Sequence, residues 1–230
     1  MRHGLVGPVL LLLSATPCFA QEAAGISTPV LPSCLAGVSL DERRTSADAA
    51  YGAVALDGLP WLKVGDIEKK KAGSQKPALR VVGTGTWWLL DGTALPLRFV
   101  CLIDHSGRPT KVQANPQLPS EGNTLPPHSL VAGTVASVPG VPMSGDSELR
   151  IQLFDLSASP AAVLAEQVVH ASQPGPIPFA LRLVPGAAQA GRELAINAIV
   201  VQQGGGQLRL KQPRPLTGAD LKAPISLVVE

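Results

Sequence analysis

Proline sets the first limit on what this chain can fold into. Of its 230 residues 22 are proline, spread along the whole length. A proline inside a helix removes one hydrogen bond and clashes with the preceding turn, so a helical bundle is excluded. Short strands joined by turns fit the punctuation better. Hydrophobic residues make up 45% and charged residues 16%, which is enough apolar surface for a core and excludes a disordered charged tail. A net charge of +2 gives no footprint for a nucleic-acid backbone, and 3% aromatics leave no platform for stacking bases.

The N-terminus has the pattern of an export leader. Arg2 and His3 precede an apolar run from Leu5 to Leu13, followed by Ser14-Ala15-Thr16-Pro17-Cys18-Phe19-Ala20. A charged start, an apolar stretch and a small-x-small end make a signal peptide over residues 1–20, cleaved after Ala20. The run is too short for a permanent bilayer span, and no later stretch qualifies. Cys18 raises a rival, a lipid-bearing cysteine at the new N-terminus. Such leaders usually carry Leu three positions before the Cys and a small residue directly before it. Ala15 and Pro17 stand there instead, so Cys18 is expected to leave with the leader. The mature chain is then periplasmic or secreted. It keeps two cysteines, and an even count in an oxidising compartment points to a Cys34–Cys101 disulfide, with two buried free thiols as the alternative.

The spacing of turns divides the rest. Residues 21–32 read as a flexible leading segment and Asp41 to Val54 as a short helix, with Ser46 and Asp48 near its start. The run Glu68 to Pro77, with Lys69, Lys70, Lys71 and Lys76, reads as a solvated charged loop, the alternative being an anion site. Ala78 to Leu90, Leu95 to Ile103 and Thr110 to Gln113 form an antiparallel meander, turned by Asp91-Gly92 and by His105-Ser106-Gly107-Arg108. Leu97, Phe99 and Cys101 share one face of the middle strand. This is a disulfide-linked β module over 33–113, and a proline-rich linker at 114–128 ends it. Residues 129–230 carry seven short strands: 130–138, 149–153, 163–169, 177–184, 194–201, 208–210 and 225–229. That number of strands separated by turns predicts a β-sandwich, so the fold class is mainly β.

The second half also carries a resemblance. Leu130-Val-Ala-Gly-Thr-Val135, then Leu149-Arg-Ile-Gln-Leu-Phe-Asp-Leu-Ser157, then Val163-Leu-Ala-Glu-Gln167 and Pro176-Ile-Pro-Phe179 follow one another in order. The Leu194–Val201 strand and Gln207-Leu-Arg-Leu210 complete the succession. This order resembles the YbaY/YscW-like family of envelope lipoproteins and type III secretion pilotins. The resemblance implies a small β-sandwich in the cell envelope and no catalytic residues. The first module lies outside it.

Candidate chemistry is sparse. Gly145-Asp146-Ser147 matches a triplet found around nucleophilic serines, but the late Asp-x-x-His that would supply the base is missing, and ordinary turn chemistry accounts for it. Asp104-His105 are neighbours whose side chains would diverge on a strand. His105, His128 and His170 have no ligand spacing, so no metal and no cofactor is expected. Gly83-Thr84-Gly85-Thr86 lacks a P-loop lysine, and its glycines signal a bulge or close packing. Trp87 and Trp88 should face opposite sides of a strand. Either both pack, or the outward one joins Trp61 in a candidate sugar- or peptide-binding patch. The functional expectation is therefore an exported, non-enzymatic protein that binds another envelope component, protein or polymer, or assists its assembly. The alternative is an inhibitor of, or an enzyme acting on, envelope polymers, with the Asp104–Pro109 loop as the inhibitor's projecting part.

Overall fold

The computed structural model describes residues 31–45, 51–66, 79–116, 129–189 and 191–230. The leader, Cys18, His128 and most of the charged run and of the proline-rich segment lie outside the described residues.

A helix comes first. α1 spans Leu31–Thr45. Leu31, Cys34, Leu35 and Val38 recur at helical spacing and are all buried. Burying each of the aliphatic ones is worth about 2 kcal/mol. Pro32 stands in the first turn, where its missing N–H costs nothing. The helix expected over 41–54 is corrected in part: α1 begins ten residues earlier and shares 41–45 with the expectation, residues 46–50, with Ser46 and Asp48, lie outside the described residues, and Tyr51–Asp57 is strand β1. Propensity at 51–54 misleads because Ala53, Val54, Ala55 and Leu56 are buried on both faces of a sheet, so they show no alternation.

The remaining strands are β2 (Lys63–Asp66), β3 (Leu79–Leu89), β4 (Ala94–Ile103), β5 (Pro109–Pro116), β6 (Ser129–Ser137), β7 (Ser147–Asp155) and β8 (Ala162–Ala171). β9 (Ile177–Leu183), β10 (Leu194–Val201), β11 (Gln207–Arg209), β12 (Arg214–Pro215) and β13 (Ile225–Val229) complete the chain. The seven strands expected in the second half are present, and β2 and β12 are additional. Ten strands form one sheet in the order β11-β10-β7-β8-β1-β3-β4-β5, with β12 beside β10 and β2 beside β3. The second sheet is β13-β6-β9. All pairings are antiparallel except β13 with β6.

One strand joins the halves. β1 pairs with β3 on one side and with β8 on the other, so the meander and the sandwich share a continuous sheet. Alternation along β1 serves two cores. Ala53 and Ala55 face the small sheet, with Val131, Phe179, Leu181 and Leu227. Val54 and Leu56 face α1, with Leu35, Phe99 and Ile103. Small residues on the first face let the sheets approach. Gly85 does the same between strands, because a Cβ there would stand 2.1 Å from the Ala55 carbonyl oxygen. Gly83 leaves room for the Phe99 ring. These two glycines therefore serve close packing.

Cys34 and Cys101 form a disulfide across 67 residues, fastening α1 to β4. On the loop-entropy account this link is worth roughly 4 kcal/mol. Because β1 lies under α1 and also pairs with β8, a Cys34→Ala, Cys101→Ala variant should lose amide protection in α1 and β4, and then in β1 and β8. Hydrogen exchange measures this, and protection lost only within 33–113 would contradict it.

Candidate functional site

The chemical candidates from the sequence do not converge. Ser147 is fully buried and donates its hydroxyl to the Ser144 carbonyl at 2.6 Å. Its cross-strand neighbour is Ala171. His170 projects from the other face of β8 and approaches Asp146 at 3.4 Å. Asp146 itself has φ 55, the left-handed conformation of a tight turn. Asp104 is held within its own loop, where it accepts from Ser106 and from the Arg108 N–H, and this loop is the exposed β4–β5 connection. Among the described residues no three His, Cys, Asp or Glu side chains form a metal-sized group.

The tryptophans separate as well. Trp87 is 5% exposed and packs under α1, whereas Trp88 is 8% exposed and packs toward the small sheet. Trp61 is half-buried, and its indole N–H donates to the Arg182 carbonyl at 2.8 Å. Trp88 borders an open groove of about 310 Å³, lined also by Leu89, Leu90, Pro174, Pro176 and Pro178.

The polar residues that the fold does bring together carry no motif. Arg182 of β9 is buried and donates to the Asp57 carboxylate at the end of β1. It also donates to the Gly85 carbonyl at 3.0 Å and to the Thr86 hydroxyl at 2.9 Å. Thr84 and Gln167 each donate to Asp57 at 2.8 Å. The Gln167 amide then pairs with β9 as another strand would: it donates to the Ala180 carbonyl at 3.1 Å and accepts from the Ala180 N–H at 3.0 Å. Together with Trp61 on Arg182, and Pro178 with no N–H to offer, these contacts occupy the outer edge of β9. The outer edge of β13 is engaged too. Glu230 and Arg209 exchange backbone hydrogen bonds at 3.1 Å, and Arg214 donates to the Ser226 carbonyl. The small sheet's two edges, occupied in this way, leave little for strand addition there, and its outer face is what remains accessible.

The outer face of the small sheet is the candidate. Register places Leu130, Ala132, Thr134 and Ala136 of β6 beside Pro178 and Ala180 of β9 and Ser226 and Val228 of β13. None is charged. Leu130 is 47% exposed and Val228 53%. Pro178 stands in this face and also lines the groove beside Trp88 and Leu90, so the uncharged surface runs from the sheet into the groove. The sequence did not single out Leu130, Val228, Asp57, Gln167 or Arg182. Alternation in β6 and β13 marks the first two, since the odd-numbered positions alone are needed for the core.

This is a two-sheet β fold whose uncharged face suits binding. Residues 126–227 match the family described as type III secretion system lipoprotein chaperone (YscW). The matched span covers β6 to β13 and none of the N-terminal half. Among solved structures, an alternative pilotin from the type II secretion system of Vibrio cholerae is similar at 17% identity and a TM-score of 0.38, over 45% of this chain and 98% of its own. No curated protein matches the chain. No helix of the described residues is long and apolar enough to cross a membrane.

One carboxylate on the opposite side of the large sheet responds to pH. Burial raises the Glu166 carboxyl above its ordinary range, against the opposing effects of Arg150 and of a 3.2 Å hydrogen bond from Gln152. A raised acid binds its proton more tightly folded than unfolded. It therefore favours folding at pH values below the ordinary carboxylate range, and this contribution is lost as pH rises through the raised value. Glu166→Gln should make the protein more stable at neutral pH, with an advantage that shrinks as pH falls. Melting temperatures across pH check this, and a constant offset between the two proteins would contradict it.

Proposed function

We propose that the chain is an exported envelope protein that binds a component of a protein-secretion machine and assists its assembly, without catalysing a reaction. The observation that carries this is the match of residues 126–227 to a secretion lipoprotein chaperone family, in the part of the chain that builds the uncharged outer face. An uncharged β face with two exposed aliphatic side chains is a surface for protein contact. On this reading residues 1–20 are a signal peptide cleaved after Ala20, and the mature chain works in the periplasm or beyond. Cys18 departs with the leader, so docking relies on the folded surface and not on an acyl chain.

The test places a photo-crosslinking side chain at Val228 and at Leu130 in intact envelopes. A single stoichiometric adduct with a secretion-machine subunit is the expected result. Leu130→Asp with Val228→Asp should weaken that complex at least about tenfold, each charge being buried against an apolar partner, with the melting temperature unchanged. Turnover of peptidoglycan or of an ester by the pure protein, or adducts to no protein at all, would defeat the proposal.

A further inference from the structure

A second face of the large sheet has a different chemistry. Where the ten-stranded sheet continues past the small sheet, β3, β4 and β5 have α1 on one side and no described element on the other, and β2 extends this part of the sheet beside β3. Register fixes which residues stand on that open side. Lys63, Val82, Val100 and Gln113 form one row, Gly65, Arg80, Leu102 and Lys111 the next, and Thr84, Arg98 and Asn115 the third. The opposite positions, Val81, Leu97, Phe99, Cys101 and Ile103, are buried under α1, which confirms the assignment of faces.

The three rows hold four basic residues and no acid. Lys63, Arg80, Arg98 and Lys111 are all exposed, and none takes part in an ion pair among the described residues. Between them lie Val82, Val100 and Leu102, half-buried with nothing described above them. Strand spacing and rise separate the charges by roughly 8–14 Å. Asp104, at the rim, is already engaged by its own turn. The sequence joining β2 to β3 lies outside the described residues and forms no part of this face.

We infer that this four-stranded face docks onto an anionic membrane surface, with lipid phosphates as its ligands. The four cations do not converge on one point, and no cleft gathers them, so they fit several mobile anions better than one fixed group. The aliphatic centre matches the boundary between headgroups and acyl chains. A single-stranded nucleic acid would be held by stacking aromatics, and the face has none. Each cation near an anionic membrane adds a comparable increment of attraction, and the sum is screened by salt. This goes beyond the proposed chaperone role, whose contact surface is the other sheet.

Vesicle co-sedimentation of the mature chain tests the inference. The probes are phosphatidylethanolamine vesicles containing phosphatidylglycerol, and vesicles of phosphatidylcholine alone. Salt-sensitive binding to the first and little to the second is expected. Lys63→Gln, Arg80→Gln, Arg98→Gln and Lys111→Gln together should reduce it by roughly three orders of magnitude. A charge-matched variant at Arg192, Arg209, Lys211 and Lys222, around β10 and β11, should retain it. If the quadruple variant fails to fold, Arg80→Gln with Arg98→Gln decides, with at least about a tenfold loss expected. Equal binding to both vesicle types, equal loss in the charge-matched variant, or binding to an acidic polypeptide but to neither vesicle would overturn the inference. Loss of the crosslinked protein partner with vesicle binding intact would count against the chaperone role alone.

Discussion

The buried contact between Arg182 and Asp57 is the constraint on which the rest of the architecture depends. Asp57 ends β1, the strand shared by the two halves, and Arg182 belongs to β9 in the small sheet, 125 residues later. A guanidinium in this position is tolerable only with a carboxylate beside it and further hydrogen bonds from its terminal nitrogens. The carboxylate is present and both terminal nitrogens are engaged, since Gly85 and Thr86 accept from Nη2 while Thr84 and Gln167 donate to Asp57; the buried Nε–H has no partner among the described residues. An apolar core could be as stable, so the pair matters chiefly for register. It requires β1, β3, β8 and β9 to meet at one place, and the same Gln167 occupies the β9 edge.

Much of this fold was legible in the sequence, and what was missed has a physical cause. The Leu194–Val201 run is a strand as read: it is buried on both faces at its start, where alternation is lost, and alternates from Ile196 onward. Asp91-Gly92 turns the chain as read, with Gly92 at φ 84 and the Asp91 carboxylate accepting from the Thr93 N–H. The same double burial misled at 51–57, where Ala-rich sequence has helical propensity and the sheet overrides it. Leu31 to Val38 was lost because Pro32 reads as a loop residue, whereas a first helical turn accepts it.

The polar site was less legible. Strict alternation in β9 would send Arg182 outward with Pro178 and Ala180, and only its partner 125 residues away draws it in. Trp61 was noticed as a candidate ligand contact, but its indole is engaged with the backbone of β9. The contact surfaces needed register, not motif. Leu130 and Val228 come to share one face through β6, and Arg80, Arg98 and Lys111 another through β4. The two surfaces are separate in space: an uncharged face on the small sheet, in the family-matched half, and a basic face on the meander part of the large sheet, outside the match.

The most direct measurement is hydrogen exchange on Asp57→Ala, Arg182→Ala and the double variant. Each single change leaves one buried charge unpaired and should cost about 3–5 kcal/mol. The double variant should cost less than the sum of the two. Amides of β1, β8 and β9 should lose protection together, across both halves of the chain. Additive costs, or protection lost on one side of β1 only, would contradict the account of a single junction holding the two sheets in register.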